Sequence, residues 1–123
     1  MKLSSKEELL MSLIWQKKKV YMKDLMEAFP DPKPAPTTLA TLLKRLTEKG
    51  AIGFDLHGNS RQYYPIINKV DYSSSYLKNM ISTFFQGSSS RFASFFTNNV
   101  NLSKAELEEL RDIIDDKIKN TEK

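Results

Sequence analysis

The sequence predicts a mainly α-helical protein with one small β-hairpin, divided into two domains. Apolar residues recur at helical spacing through most of the 123 residues, and only one stretch alternates as a half-buried strand does. The 4 glycines are too few for a fold built on many tight turns. With 40% hydrophobic and 28% charged residues, the chain has the composition of an ordinary globular protein.

Two helices are predicted in the first 30 residues. Ser4 and Glu7 have the spacing of a capping box, which places a helix start at Ser4. The apolar stripe of this first helix is formed by Leu9, Leu10, Leu13 and Ile14. A shorter second helix carries Met22, Leu25, Met26 and Phe29 on one face. Pro30 ends it, because proline cannot donate a backbone hydrogen bond inside a helix.

A third helix and a hairpin follow. Pro36 stands at the first helical position and Gly50 just past the last, the usual places for these residues. Its buried stripe is predicted to be Leu39, Leu42, Leu43 and Leu46. Alternation from Ile52 to Leu56 predicts a strand, 58–60 is turn-like, and 61–66 reads as the return strand. This order predicts a winged helix-turn-helix domain over residues 1–69.

The outward face of the third helix is suited to a DNA major groove. Threonine methyls and long basic side chains can reach base edges or phosphates without bulk that blocks approach. Residues 1–69 contain 12 Lys and Arg against 7 Asp and Glu. The candidate DNA-binding residues are Thr37, Thr38, Ala40, Thr41, Lys44 and Arg45 on the helix, with Asn59, Ser60 and Arg61 in the wing. The alternative is an amphipathic surface helix whose polar side chains are only solvated.

Residues 70–123 are predicted to form a three-helix dimerisation domain. Tyr72, Tyr76, Met80 and Phe84 recur every four residues, and Ser103 with Glu106 makes a second capping box. Five of the seven phenylalanines lie between Phe84 and Phe96, too many for so small a domain to bury alone. The candidate dimer contacts are Tyr76, Met80, Phe84, Phe92, Phe95, Leu107, Leu110 and Ile114. Alternatively, these phenylalanines pack on the first domain.

Composition disfavours several classes of protein. The chain has no Cys and one His, which leaves no thiolate or histidine cluster for a metal and no nucleophile–base pair for catalysis. We therefore expect a non-enzyme without cofactor or metal. No apolar run approaches the roughly 18 residues of a membrane span, and no signal-peptide pattern begins the chain. These features predict a cytoplasmic protein without direct membrane contact.

Four motifs carry a resemblance that covers nearly the whole chain. They are Leu3-Ser4 with Glu7 and Leu13-Ile14-Trp15, the stretch Pro36–Gly50, Tyr63-Tyr64-Pro65, and Leu102-Ser103 with Glu106–Leu110. In order and spacing they resemble the BlaI/MecI penicillinase-repressor family, which has copper-responsive relatives. The resemblance implies a homodimeric transcriptional repressor on double-stranded DNA with an inverted-repeat operator.

The resemblance also implies a way of ending repression, and the sequence departs from it in places. In better-known relatives a membrane-bound zinc-metalloprotease sensor for β-lactams triggers cleavage of an Asn–Phe bond in the C-terminal domain. That bond falls on Phe95-Phe96 here, without the Asn. Several relatives carry a basic residue at the positions of Ala40 and Asn59. The cysteine cluster of copper-responsive relatives is absent.

A second function class stays open from sequence alone. Winged helices also serve as protein-interaction modules, in which the third helix meets an acidic protein instead of DNA. Salt-dependent binding to a palindromic promoter fragment, with much weaker binding to scrambled DNA, separates the two.

Overall fold

The computed structural model describes residues 1–121, which form two compact units, Met1–Ser74 and a second that begins at Ser75. The described elements are α1 (Ser5–Lys17), β1 (Val20–Tyr21), α2 (Met22–Ala28), α3 (Pro36–Glu48), β2 (Ile52–His57), β3 (Ser60–Pro65), α4 (Lys69–Phe85), α5 (Ser89–Asn99) and α6 (Lys104–Thr121). The predicted fold class, mainly α with a small β-hairpin, is confirmed. The sequence places the domain boundary between residues 69 and 70, whereas the compact units divide within α4.

The sheet has three antiparallel strands in the order β1-β3-β2. Strands β2 and β3 form the predicted hairpin, with register from Ile52 opposite Pro65 to His57 opposite Ser60. Gly58 begins the two-residue turn with a φ of +66°, a value that glycine adopts without steric cost. The two-residue strand β1 pairs Val20 with Tyr63 and was not predicted, because two residues show no alternation.

Three helices pack against this sheet through a core of aliphatic side chains. The predicted stripe of α3 is confirmed, since its four leucines are the buried residues of that helix. The stripe predicted for α1 is partly wrong: Met11 is fully buried, while Leu9 is 41% exposed. Burial on α1 therefore centres on Leu10, Met11 and Ile14. Leu56 is also exposed, because β2 extends beyond the core at its hairpin end.

The end of α3 is tied to the sheet by backbone hydrogen bonds. Gly50, at φ +78°, donates its N–H to the Thr47 carbonyl at 3.1 Å, and Ala51 donates to the Leu46 carbonyl at 2.9 Å. This is the pattern of a Schellman motif, which confirms Gly50 as the helix stop. The buried Ala51 also accepts the N–H of Ile66 at 2.9 Å, just past β3.

An ion pair between the buried Glu7 and the more exposed Lys49 joins α1 to the end of α3. The predicted capping box is present: Ser4 donates its N–H to Glu7 Oε1 at 2.8 Å, and Ser4 Oγ accepts the N–H of Glu7. Glu7 is 2% exposed, and Lys49 Nζ lies 2.8 Å from the same Oε1. Burial raises the pKa of this carboxyl, but the hydrogen bonds from Lys49 and Ser4 outweigh burial and hold the pKa below its ordinary value.

We expect Glu7→Gln to lower the unfolding free energy near neutral pH by about 1–2 kcal/mol. This is less than a fully buried pair would lose, because the Lys49 side chain is 37% exposed. A lowered folded-state pKa contributes stability above the unfolded-state pKa of about 4.3, and that contribution disappears as the pH falls through the folded value. Urea unfolding of wild type and Glu7→Gln between about pH 7 and pH 3 should show the two unfolding free energies converging as the pH falls below the folded-state pKa of Glu7. A constant difference would show that ionised Glu7 is not its source.

The first turn of α4 is held by residues of the first unit. Asn68 Oδ1 accepts the N–H groups of Val70 and Asp71 at 2.8 and 3.2 Å. Tyr72 donates its hydroxyl to Glu8 Oε2 at 2.7 Å, and its ring lies 6.0 Å from that of Trp15. The start of α4 is therefore anchored on α1.

The second unit exposes most of its apolar surface. Within residues 75–121 no side chain is buried. Phe85 lies 5.6 Å from Phe92 and 5.3 Å from Phe95, measured between ring centroids, and these contacts join α4 to α5. The predicted capping box of α6 is confirmed, since Ser103 donates its N–H to Glu106 Oε1 at 3.0 Å. The same bond holds the pKa of Glu106 below its ordinary value.

Candidate nucleic-acid interface

The exposed side of α3 carries all six helix residues that the sequence singles out. Thr37, Thr38, Ala40, Thr41, Lys44 and Arg45 are exposed. The four leucines on the opposite side are buried, so the helix has one face in the core and one face free for a ligand. We call these six residues the reading face.

The first turn of α3 can accommodate a negatively charged ligand. Its N-cap is Ala35, which offers no side-chain acceptor to the first backbone N–H groups, and no acidic residue lies in the turn. A helix N-terminus in this state favours an anion such as a phosphate. Thr41 donates its hydroxyl to the Thr37 carbonyl at 3.0 Å, so its methyl group and oxygen lone pairs remain for a ligand.

The wing presents the other three predicted residues. Asn59, Ser60 and Arg61 are exposed at and just past the β2–β3 turn. The guanidinium carbon of Arg61 lies 4.3 Å from the centroid of the Phe54 ring. A cation over an aromatic face gains electrostatic attraction, so Phe54 restricts where the Arg61 side chain points.

An open cleft of about 540 Å³ joins the wing to the start of α2. It is lined by Tyr21, Met22, Lys23, Asp24, His57, Asn59, Ser60, Arg61 and Tyr63. The cleft brings Lys23 of α2 beside the wing residues and His57, the last residue of β2. A groove with these basic groups offers donors to a phosphate backbone.

Other lysines of the first unit are less available to DNA. Lys33 donates to three carbonyl oxygens at the end of α2, those of Met26, Glu27 and Phe29, at 3.0, 2.9 and 2.8 Å. Its charge therefore caps α2. Lys17 and Lys19 line a second cleft together with Asp24 and Glu27, whose carboxylates offset their charge.

The residues predicted for self-association lie on all three helices of the second unit. Five of them are exposed: Tyr76, Phe84, Phe95, Leu107 and Ile114. Met80, Phe92 and Leu110 are half-buried. The Phe95–Phe96 bond, the predicted cleavage position, lies inside α5, and the Phe96 ring stacks on that of Phe92 at 6.0 Å.

Residues 1–121 contain no group of three His, Asp or Glu side chains placed to hold a metal ion. Across the same part of the chain, none of the helices combines the length and apolarity that crossing a bilayer requires.

Comparison with known proteins gives consistent matches. The family model described as Penicillinase repressor matches residues 3–116. Methicillin resistance regulatory protein MecI of Staphylococcus aureus strain N315 is 32% identical over 116 residues, covering 94% of each chain. The Penicillinase repressor of Bacillus licheniformis is 27% identical over 115 residues, covering 93% of this chain and 90% of that protein.

One solved structure is similar to the first part of the chain. The solution structure of the DNA binding domain of the repressor BlaI superposes with a TM-score of 0.53 and 28% identity. The match covers 58% of this chain and 88% of that one. The winged-helix prediction is thereby confirmed.

Proposed function

We propose that this chain, which belongs to the penicillinase repressor family of DNA-binding regulators, acts as a homodimer on an inverted-repeat operator. The observation that carries the proposal is α3, whose leucine face is buried and whose reading face is exposed. In this proposal the reading face enters the major groove and Arg61 reaches the flanking backbone. The repressor acts where the chromosome lies, in the cytoplasm, and performs no catalysis.

Dimerisation is supported by the apolar stripe of α6. Leu107, Leu110, Ile114 and Ile118 recur at spacings that place them on one side of the helix, and three of them are exposed. A two-fold axis would cover the same stripe on both copies at once. Two reading faces held about 34–36 Å apart would then match successive major grooves of a palindromic site.

For the end of repression, we propose cleavage in the second unit by a membrane-bound metalloprotease sensor. The candidate bond joins Phe95 to Phe96 within α5. A backbone held in helical hydrogen bonds has to open before a protease can take it in extended form, so α5 would unwind first. Recovering the repressor from cells that express such a sensor, and sequencing its fragments, tests this step. An intact chain after induction would contradict it.

The operator proposal predicts strong discrimination between DNA sequences. Palindromic sites are selected from a random pool, and fluorescence anisotropy then compares the best site with a scrambled duplex of equal length. We expect at least about 10³-fold tighter binding to the palindrome at physiological salt. The logarithm of its affinity should fall linearly with the logarithm of salt concentration, because phosphate contacts release counterions. Equal affinity for both duplexes would favour the protein-interaction module instead.

A further inference from the structure

The Glu7–Lys49 ion pair joins three parts of the first unit at one point. Glu7 Oε1 accepts the N–H of Ser4 and an N–H of Lys49, both at 2.8 Å. Lys49 Nζ also donates to the Lys2 carbonyl at 3.1 Å. Since Lys49 is the C-cap of α3, the start of the chain, the N-cap of α1 and the end of α3 are fixed together.

We propose that Glu7 and Lys49 are positioning residues that set the orientation of the reading face and thereby its ability to discriminate DNA sequences. The proposal rests on the function proposed above. The four leucines hold α3 by apolar contact, which is not directional. A charge-assisted hydrogen bond to the buried Glu7 carboxylate is directional, so the pair fixes the rotation and tilt that the leucines leave less restricted.

The location of the pair supports a role in reading. Lys49 donates its backbone N–H to the Arg45 carbonyl at 2.9 Å, so the fixed point lies one helical turn from Arg45 and Lys44. Their side chains are long, and a small rotation at the helix end moves their tips away from base edges. Hydrogen bonds to bases tolerate little displacement, whereas contacts to phosphates tolerate more.

The second oxygen of Glu7 points to a role beyond stability. Glu7 Oε2 is buried and has no hydrogen-bond partner among the described residues. A buried acceptor without a partner costs free energy, so an apolar residue here would cost the fold less desolvation. In addition to its contribution to stability, the Glu7 carboxylate imposes a geometry on Lys49 through Oε1.

Glu7→Gln distinguishes a positioning role from a general effect of charge, because the two predict opposite changes in affinity for the selected palindrome. The substitution removes a negative charge, so electrostatics alone predicts tighter binding to every DNA. Positioning predicts weaker binding to the selected palindrome and no loss on scrambled DNA. Glu27→Gln is the matched control, since it removes the same charge from an exposed side chain of α2.

The experiment measures the ratio of palindrome affinity to scrambled-duplex affinity for wild type, Glu7→Gln and Glu27→Gln. Because both affinities come from one preparation, a reduced folded fraction cancels. We expect the ratio to fall roughly threefold to tenfold for Glu7→Gln and to stay at the wild-type value for Glu27→Gln. An unchanged ratio in Glu7→Gln overturns the inference. A wild-type ratio near one overturns the proposed function instead.

A double-mutant cycle tests whether the two residues act as one unit. Lys49→Gln should also lower the ratio, and combining it with Glu7→Gln should lower it little further. Fully additive losses would show that Lys49 acts on DNA by itself, which contradicts a shared positioning role. Lys49→Arg, which keeps a donor for Glu7, should retain most of the discrimination.

Discussion

Replacing Ile114 with aspartate should dissociate the repressor into monomers and weaken its palindrome binding by at least about 100-fold. Ile114 lies within the apolar stripe of α6 and is 59% exposed in the single chain, so its replacement should leave the monomer folded. Burying an isoleucine is worth roughly 1.5–3 kcal/mol, and two-fold symmetry doubles the loss. The dimerisation constant should therefore change by about 10² to 10⁴.

Ala105→Asp supplies the control on the same helix. Ala105 lies nine residues before Ile114, which at 100° per residue places it on the opposite side of α6. The Ala105→Asp substitution introduces the same charge as Ile114→Asp and should leave both the dimer and its DNA affinity intact. Sedimentation velocity measures the oligomeric state of both variants. A dimeric Ile114→Asp protein would show that the interface lies elsewhere, and would favour packing of this surface on the first unit.

Arg45→Ala should weaken binding to the palindrome by about 30-fold or more and relax its sequence preference at one base pair in each half-site. Arginine is the side chain most suited to a bidentate contact with guanine, and one such contact is worth about 1–3 kcal/mol. Two protomers lose it together. The fold should be unaffected, because Arg45 is exposed and its carbonyl still accepts the N–H of Lys49.

Lys6→Ala removes one positive charge from an exposed position on α1 and controls for the general effect of charge. It should change the affinities for palindrome and scrambled duplex alike and only slightly. If Arg45→Ala reduces both affinities equally, Arg45 contacts phosphate and does not read a base. Unchanged affinity for the palindrome would place the reading face away from α3.

Local signals explain which elements could be predicted. The capping boxes at Ser4 and Ser103 and the stop at Gly50 each depend on residues a few positions apart, and all three are present. The strand β1 exists only because β3 lies beside it, and this pairing joins residues about 40 positions apart. The buried stripe of α1 differs from the predicted one because Leu9 and Met11 lie 100° to either side of the buried Leu10. Periodicity favours neither of them, and packing buries Met11 and leaves Leu9 exposed.

The functional site likewise combines features that local sequence signals predict with contacts that form only when distant residues meet in the fold. The reading face was predictable because a helix with one leucine side presents its other side outward. The wing cleft was not, since it depends on the fold bringing Lys23 close to His57. Lys33 is one of the 12 basic residues counted in residues 1–69, and a count of charges does not show that its ammonium group caps α2. The Glu7–Lys49 pair spans 42 positions and leaves no mark in periodicity or composition.

Every buried side chain within residues 1–121 lies in Met1–Ser74, together with the contacts that anchor the start of α4. A chain that ends after Ser74 should therefore keep a complete core and an intact reading face. Two such fragments would meet an operator as independent ligands, whereas in the proposed dimer binding of one half-site raises the local concentration of the second reading face to roughly millimolar. Removing the second unit would thus end repression through lost avidity. The remaining DNA-binding fragments would stay folded and would compete weakly for half-sites until they are degraded.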